Sequence, residues 1–97
     1  MTWRLSQAAE EDLIGIWLHG ADRHGPAQAD RYQDGLEATF GVLAQFPELA
    51  RECPELTPPL RVHPFGSHMI LYLVQPDGSI FVVRVRHARE DWASEPL

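Results

Sequence analysis

With 97 residues, 44% of them hydrophobic and 23% charged, the chain has the composition of an ordinary soluble globular protein near the size at which one core holds a fold. A lone cysteine, Cys53, excludes an intrachain disulfide and gives no sign of an oxidising compartment, and no apolar run approaches the roughly 20 residues that span a bilayer. The formal charge of -6 is unevenly placed: residues 1–57 carry ten acidic side chains against four arginines, whereas residues 58–89 carry Arg61, Arg84, Arg86 and Arg89 against Asp77 alone.

The start, MTWRLSQAAEEDL, lacks the basic and apolar segments of a signal peptide, so a cytoplasmic protein of one domain, residues 1–97, is expected. Within it, TWRLS alternates with Trp3 and Leu5 on one face and predicts a short strand. Ser6 is placed to cap a helix, with Glu10, Glu11 and Asp12 near its positive end. Ala9, Leu13, Ile16 and Trp17 then recur at helical spacing to about Gly20, and His24-Gly25-Pro26 stops the helix. Gly25 suits a left-handed cap and Pro26 the first turn of a second helix. That helix is marked by Ala29, Tyr32, Leu36, Phe40, Leu43 and Phe46, and the pair is expected as an antiparallel hairpin. Residues 47–59, PELARECPELTPP, form a proline-rich loop in which Cys53 is expected to be inert. Three strands follow, LRVHPF, HMILYLVQ and SIFVVRVRH, which gives an α+β fold: an N-terminal strand, a two-helix hairpin and a three-strand antiparallel meander, with the helices on one sheet face.

The turn in QPDGS predicts the register. Pro76 fits the first central position, Asp77 the second, and Gly78 the left-handed position of a three-residue hairpin loop. Pairing Gln75 with Ser79 sets Leu73 against Phe81, Leu71 against Val83 and Met69 against Val85, an apolar face expected to meet the helices. The other face then carries Val74 with Ile80, Tyr72 with Val82, Ile70 with Arg84 and His68 with Arg86. Leu60 and Val62 are taken as core-facing in the preceding strand, which turns Arg61 and His63 outward. Arg84 and Arg86 lie about 6.8 Å apart along one strand. His87 falls on the core parity and reads as a structural histidine.

All eight basic residues are arginine, whose planar fork suits carboxylate or phosphate. A basic and apolar outer face of this kind suggests a partner-binding surface, and a solvated face whose arginines lie over exposed aliphatics is the alternative. No histidine or cysteine pair has the close spacing of a structural zinc site, and there is no phosphate loop or nucleophile in a recognisable context, so neither metal nor cofactor is expected.

LSQAAEEDLIGIW, GPAQADRYQDGLEATFGVLAQFPELAR, LRVHPFGSHMILY and IFVVRVRHARED, in that order and spacing, resemble the ParE/RelE superfamily of toxins from type II toxin–antitoxin systems, and within it the ParE branch. The resemblance spans nearly the whole chain and implies a RelE/ParE-like fold. It implies a cytoplasmic bacterial toxin neutralised by a ParD-like ribbon-helix-helix antitoxin, with operator DNA contacted only through that antitoxin. ParE toxins poison DNA gyrase without being enzymes, so no catalytic residue is expected. The alternative is a RelE-like ribosome-dependent mRNA endoribonuclease, for which Arg61, Arg84, Tyr72 and His87 could be drafted. RelE-like nucleases are basic and lysine-rich, whereas this chain has no lysine, a charge of -6 and no tyrosine near its C-terminus. The residues expected to bind antitoxin or target are Arg61, His63, His68, Tyr72, Arg84, Arg86 and Trp92.

Overall fold

A computed structural model describes residues 2–56 and 58–93. Strand β1 (Trp3–Leu5) leads into helix α1 (Gln7–His24) and helix α2 (Pro26–Gln45). Strands β2 (Glu52–Cys53), β3 (Leu60–Phe65), β4 (His68–Val74) and β5 (Ile80–His87) follow. They form one five-stranded sheet ordered β1-β5-β4-β3-β2, with β1 parallel to β5 and the other pairs antiparallel. This is the expected α+β arrangement, with β2 added at the outer edge of the meander. Among the described residues, no helix is long and apolar enough to cross a membrane.

Local chemistry explains the boundaries. The Ser6 hydroxyl accepts from the Ala9 amide at 2.9 Å and donates to the Val83 carbonyl at 2.6 Å, so one side chain starts α1 and ties it to β5. α1 runs past Gly20 to His24, and Gly25 ends it with φ 90° and ψ 157°. That conformation is glycine-specific, but it carries the chain out extended instead of through the left-handed helical well. The Gly25 amide still donates to Ala21, while its carbonyl accepts from Ala29, so one residue closes α1 and opens α2. Pro26 stands at the start of α2, where its missing donor is harmless.

The hairpin loop is as expected. Gly78 has φ +89°, the Gln75 amide donates to the Ser79 carbonyl at 2.8 Å, and Asp77 accepts from the Ser79 amide and hydroxyl. Next to the turn Val74 pairs with Ile80, Leu73 with Phe81 and Tyr72 with Val82. A β-bulge then leaves Val83 over, so that Leu71 meets Arg84, Ile70 meets Val85, Met69 meets Arg86 and His68 meets His87. The uninterrupted pairings expected for Leu71, Met69, Ile70 and His68 are therefore displaced by one.

The face assignment is also inverted over most of the sheet. Ile70, Tyr72, Ile80 and Val82 pack with Leu13, Leu36, Phe40 and Leu43 of the helices. Leu60, Val62, Met69, Leu71, Leu73 and Val83 belong to a separate cluster on the far face. The cause lies in β1. Its parallel register sets Trp3 beside Ile80 and Leu5 beside Val82, and α1, starting directly after Leu5, folds back over that face. Arg61 pairs with Tyr72 and His63 with Ile70, which puts both on the helix side. Beyond the bulge the parity of β5 changes again: Val85 joins the helix-side core, His87 stacks against His68, and Arg86 lies across from Met69 on the far face. Phe46, expected in the core stripe, is instead 57% exposed just past the end of α2.

Candidate functional site

The seven residues singled out in the sequence do not form one patch. Tyr72 is fully buried, and its hydroxyl donates to the Pro47 carbonyl at 2.8 Å. Burial raises its pKa above the ordinary phenol value. Arg61 donates to the Ala50 carbonyl at 2.6 Å, fastening the loop after α2 to β3. His63 is half-buried on the same side of β3.

His68 lies against α2, where its Nδ1 is 2.7 Å from the Tyr32 hydroxyl, and its ring meets that of His87 edge-on with centroids 5.3 Å apart. Burial lowers the His68 pKa, and His87 beside it adds to the effect. The His87 Nδ1 accepts from the Arg89 amide at 3.1 Å. Among the described residues no cluster of three or more histidine, cysteine or acidic side chains is arranged to hold a metal ion.

Arg84 is held at the sheet edge. Its Nε and Nη2 donate to the two carboxylate oxygens of Asp12 at 2.7 and 2.8 Å, a fork-to-carboxylate pair that raises its pKa further. Asp12 also accepts from the Val85 amide at 3.0 Å. β1 ends at Leu5, so the edge of β5 beyond Val82 has no strand beside it, and Ser6, Asp12 and Glu90 bond its backbone instead.

Arg86 and Trp92 remain for the far face. Arg86 pairs with Glu90 at 2.9 Å, and the Glu90 carboxyl sits below the usual range because the His87 amide, then Arg86, donates to it. Trp92 packs against the cluster of Leu56, Leu60 and Leu71. The cover is incomplete: Leu73, Phe81 and Val83 stay half-buried. Arg4 of β1, absent from the expected set, lies opposite Phe81 with its guanidinium carbon 5.2 Å from the ring centre. The alternation of TWRLS already turns Arg4 away from Trp3 and Leu5; the missing information was that β1 pairs with β5. The far face is thus an apolar surface bordered by Arg4 and Arg86, with Trp92 across part of it. Cys53 on its border donates to Glu55 at 2.9 Å, a bond that raises the thiol pKa and opposes thiolate reactivity.

A family model described as "ParE toxin of type II toxin-antitoxin system, parDE" matches residues 3–92. The chain is 40% identical over 87 residues to "Toxin ParE1" of Mycobacterium tuberculosis (strain CDC 1551 / Oshkosh), covering 90% of this chain and 89% of that protein. It is 33% identical over 85 residues to "Toxin ParE1" of Caulobacter vibrioides, covering 88% and 86% respectively. Among solved structures, a chain of the "Chromosomal ParDE TA system from P. aeruginosa" shares the fold with a TM-score of 0.74 and 19% identity, over 90% of this chain and 95% of that one.

Proposed function

Since the chain belongs to the ParE toxin family of type II toxin–antitoxin systems, we propose that it arrests growth by binding DNA gyrase in the cytoplasm, without catalysis, until a ParD-like antitoxin neutralises it. The observation that carries the non-enzymatic reading is the state of the side chains that RNA cleavage would draft. Tyr72 is buried, Arg61 is committed to Ala50, both carboxylate oxygens of Asp12 engage Arg84, and His87 is half-buried against His68 with its Nδ1 accepting from the Arg89 amide. An acid–base pair for phosphodiester cleavage needs groups within reach of substrate and free to exchange protons. Arg61, Tyr72 and Arg84 serve the fold, so His87 is left without the groups that would work beside it.

Antitoxin capture is assigned to the far sheet face. An acidic, apolar tail laid over Leu73, Phe81 and Val83 would shelter half-buried apolar surface and set its carboxylates beside Arg4, and beside Arg86 in competition with Glu90. Operator DNA then meets the toxin only through the antitoxin. Two measurements test the reading. Purified protein is expected to inhibit supercoiling by gyrase and to leave mRNA intact in a translation extract; ribosome-dependent cleavage without an effect on gyrase would reverse it. The double variant Arg4→Glu/Arg86→Glu is expected to weaken the antitoxin complex at least about tenfold, and unchanged affinity would remove the far face from the assignment.

A further inference from the structure

The helical hairpin carries a second surface that the antitoxin assignment does not use. Along α1, Glu10, Ile14 and Leu18 are four residues apart and form one ridge; along α2, Asp30, Gln33 and Glu37 form another. A groove runs between them. Leu13, Ile14, Trp17 and Leu18 give it an apolar wall, and Ile14 and Leu18 are 61% and 59% exposed. Trp17 spans the groove by donating to Asp30 at 2.8 Å, a bond that leaves the aspartate charge in place.

The rim is of one sign. Glu10, Asp30 and Glu37 line the groove, no basic residue does, and none of the three is in an ion pair among the described residues. The arginines of the sheet are in the opposite condition, because Asp12 and Glu90 answer Arg84 and Arg86. Gln33 adds a side-chain oxygen that is buried and unpartnered among the described residues. Two large aliphatic side chains left in water between unanswered carboxylates match a guest that is apolar on one stripe and cationic along its flanks. From Glu10 to Leu18 the ridge spans about 12 Å, the length of roughly two helical turns.

We propose that the α1–α2 groove is a docking site for a basic amphipathic helix of a partner protein, with Leu or Ile anchors over Ile14 and Leu18 and Lys or Arg beside Glu10, Asp30 and Glu37. It lies on a different surface from the face assigned to the acidic tail, so either assignment stands or falls without the other.

Calorimetric titration of the full chain tests it with two synthetic helices of roughly 15–20 residues, identical in their Leu stripe and carrying either Arg or Glu on the flanks. The basic helix is expected to bind at least about tenfold more tightly than the acidic one and to lose that advantage as salt shortens the screening length. Glu37→Lys and Leu18→Asp are each expected to reduce its affinity at least about fivefold, and both positions are exposed, so the fold tolerates the change. No binding, equal binding of the two helices, or full binding to Leu18→Asp overturns the proposal. So does self-association of the chain that Leu18→Asp abolishes, since the occupant would then be a second copy.

Discussion

Both faces of the sheet are apolar, yet one is sealed and the other half open. On the helix side Ile70, Tyr72, Ile80 and Val82, together with Leu36 and Phe40, are all 0% exposed. On the far side Leu71 is buried beneath Leu56 and Trp92, while Leu73, Phe81 and Val83 are left half-buried. The difference is one of cover. Two helices of 18 and 20 residues lay continuous ridges over one face, whereas a proline-rich loop and one tryptophan shade part of the other. In a sheet this small the second face stays incompletely covered among the described residues, with Arg4 and Arg86 on its border.

Two phenylalanines separate the faces most sharply. Phe40→Ala is expected to cost about 3–5 kcal/mol, because a fully buried ring packed edge-on against Trp3 is replaced by a cavity. Phe81→Ala on the far face is expected to cost less, about 1–2 kcal/mol, since that ring is only partly buried. Urea unfolding of both variants decides the matter; equal losses would mean that the far face is as well packed as the near one.

At the edge between the faces, Asp12→Asn is expected to cost about 2 kcal/mol, leaving the Arg84 fork without its carboxylate and weakening the bond to the Val85 amide. Arg86→Ala, which removes a side chain 14% exposed together with its pair to the 48% exposed Glu90, is expected to cost less than that, about 1 kcal/mol. Thermal melts of the two variants sharpen the distinction between an arginine that closes the fold and one that borders a surface.

The smallest effect concerns acid. Burial, and His87 beside it, hold the His68 imidazole below its ordinary pKa of 6.5, so the unfolded chain binds this proton more readily than the folded one. His19 adds to the depression, and Glu90 and Asp12 oppose it. The stability linked to this group is present above pH 6.5 and is lost as pH falls below it. His68→Gln keeps a polar side chain beside Tyr32 and is expected to flatten that decline in melts taken down to about pH 5. An unaltered slope would assign it to other groups.

The features legible in the sequence are those set by neighbours along the chain. Ser6 caps α1 because its hydroxyl reaches an amide three residues on, Gly25-Pro26 breaks the hairpin, and Pro76-Asp77-Gly78 folds the turn and aligns Leu73 with Phe81. The candidate site was legible only in part. Arg86 and Trp92 lie on the far face, while Arg61, His63, His68 and Tyr72 are on the helix side, and Arg4 went unnoticed. Alternation separates two faces without saying which one is covered, and here both parities of β4 and β5 are apolar near the turn.

The amino-acid order by itself determined the two helices, the three-strand meander, its turn and the family, because short-range backbone chemistry and apolar spacing suffice for them. Tertiary structure alone decided which face the helices cover and where the arginines lead. Pairing of β1 with β5 joins residues more than 70 positions apart, and Asp12 holds Arg84 and the Val85 amide across a similar distance, next to the bulge that shifts every later pairing. Such contacts form only once the chain has closed on itself, and no local pattern of residues encodes them.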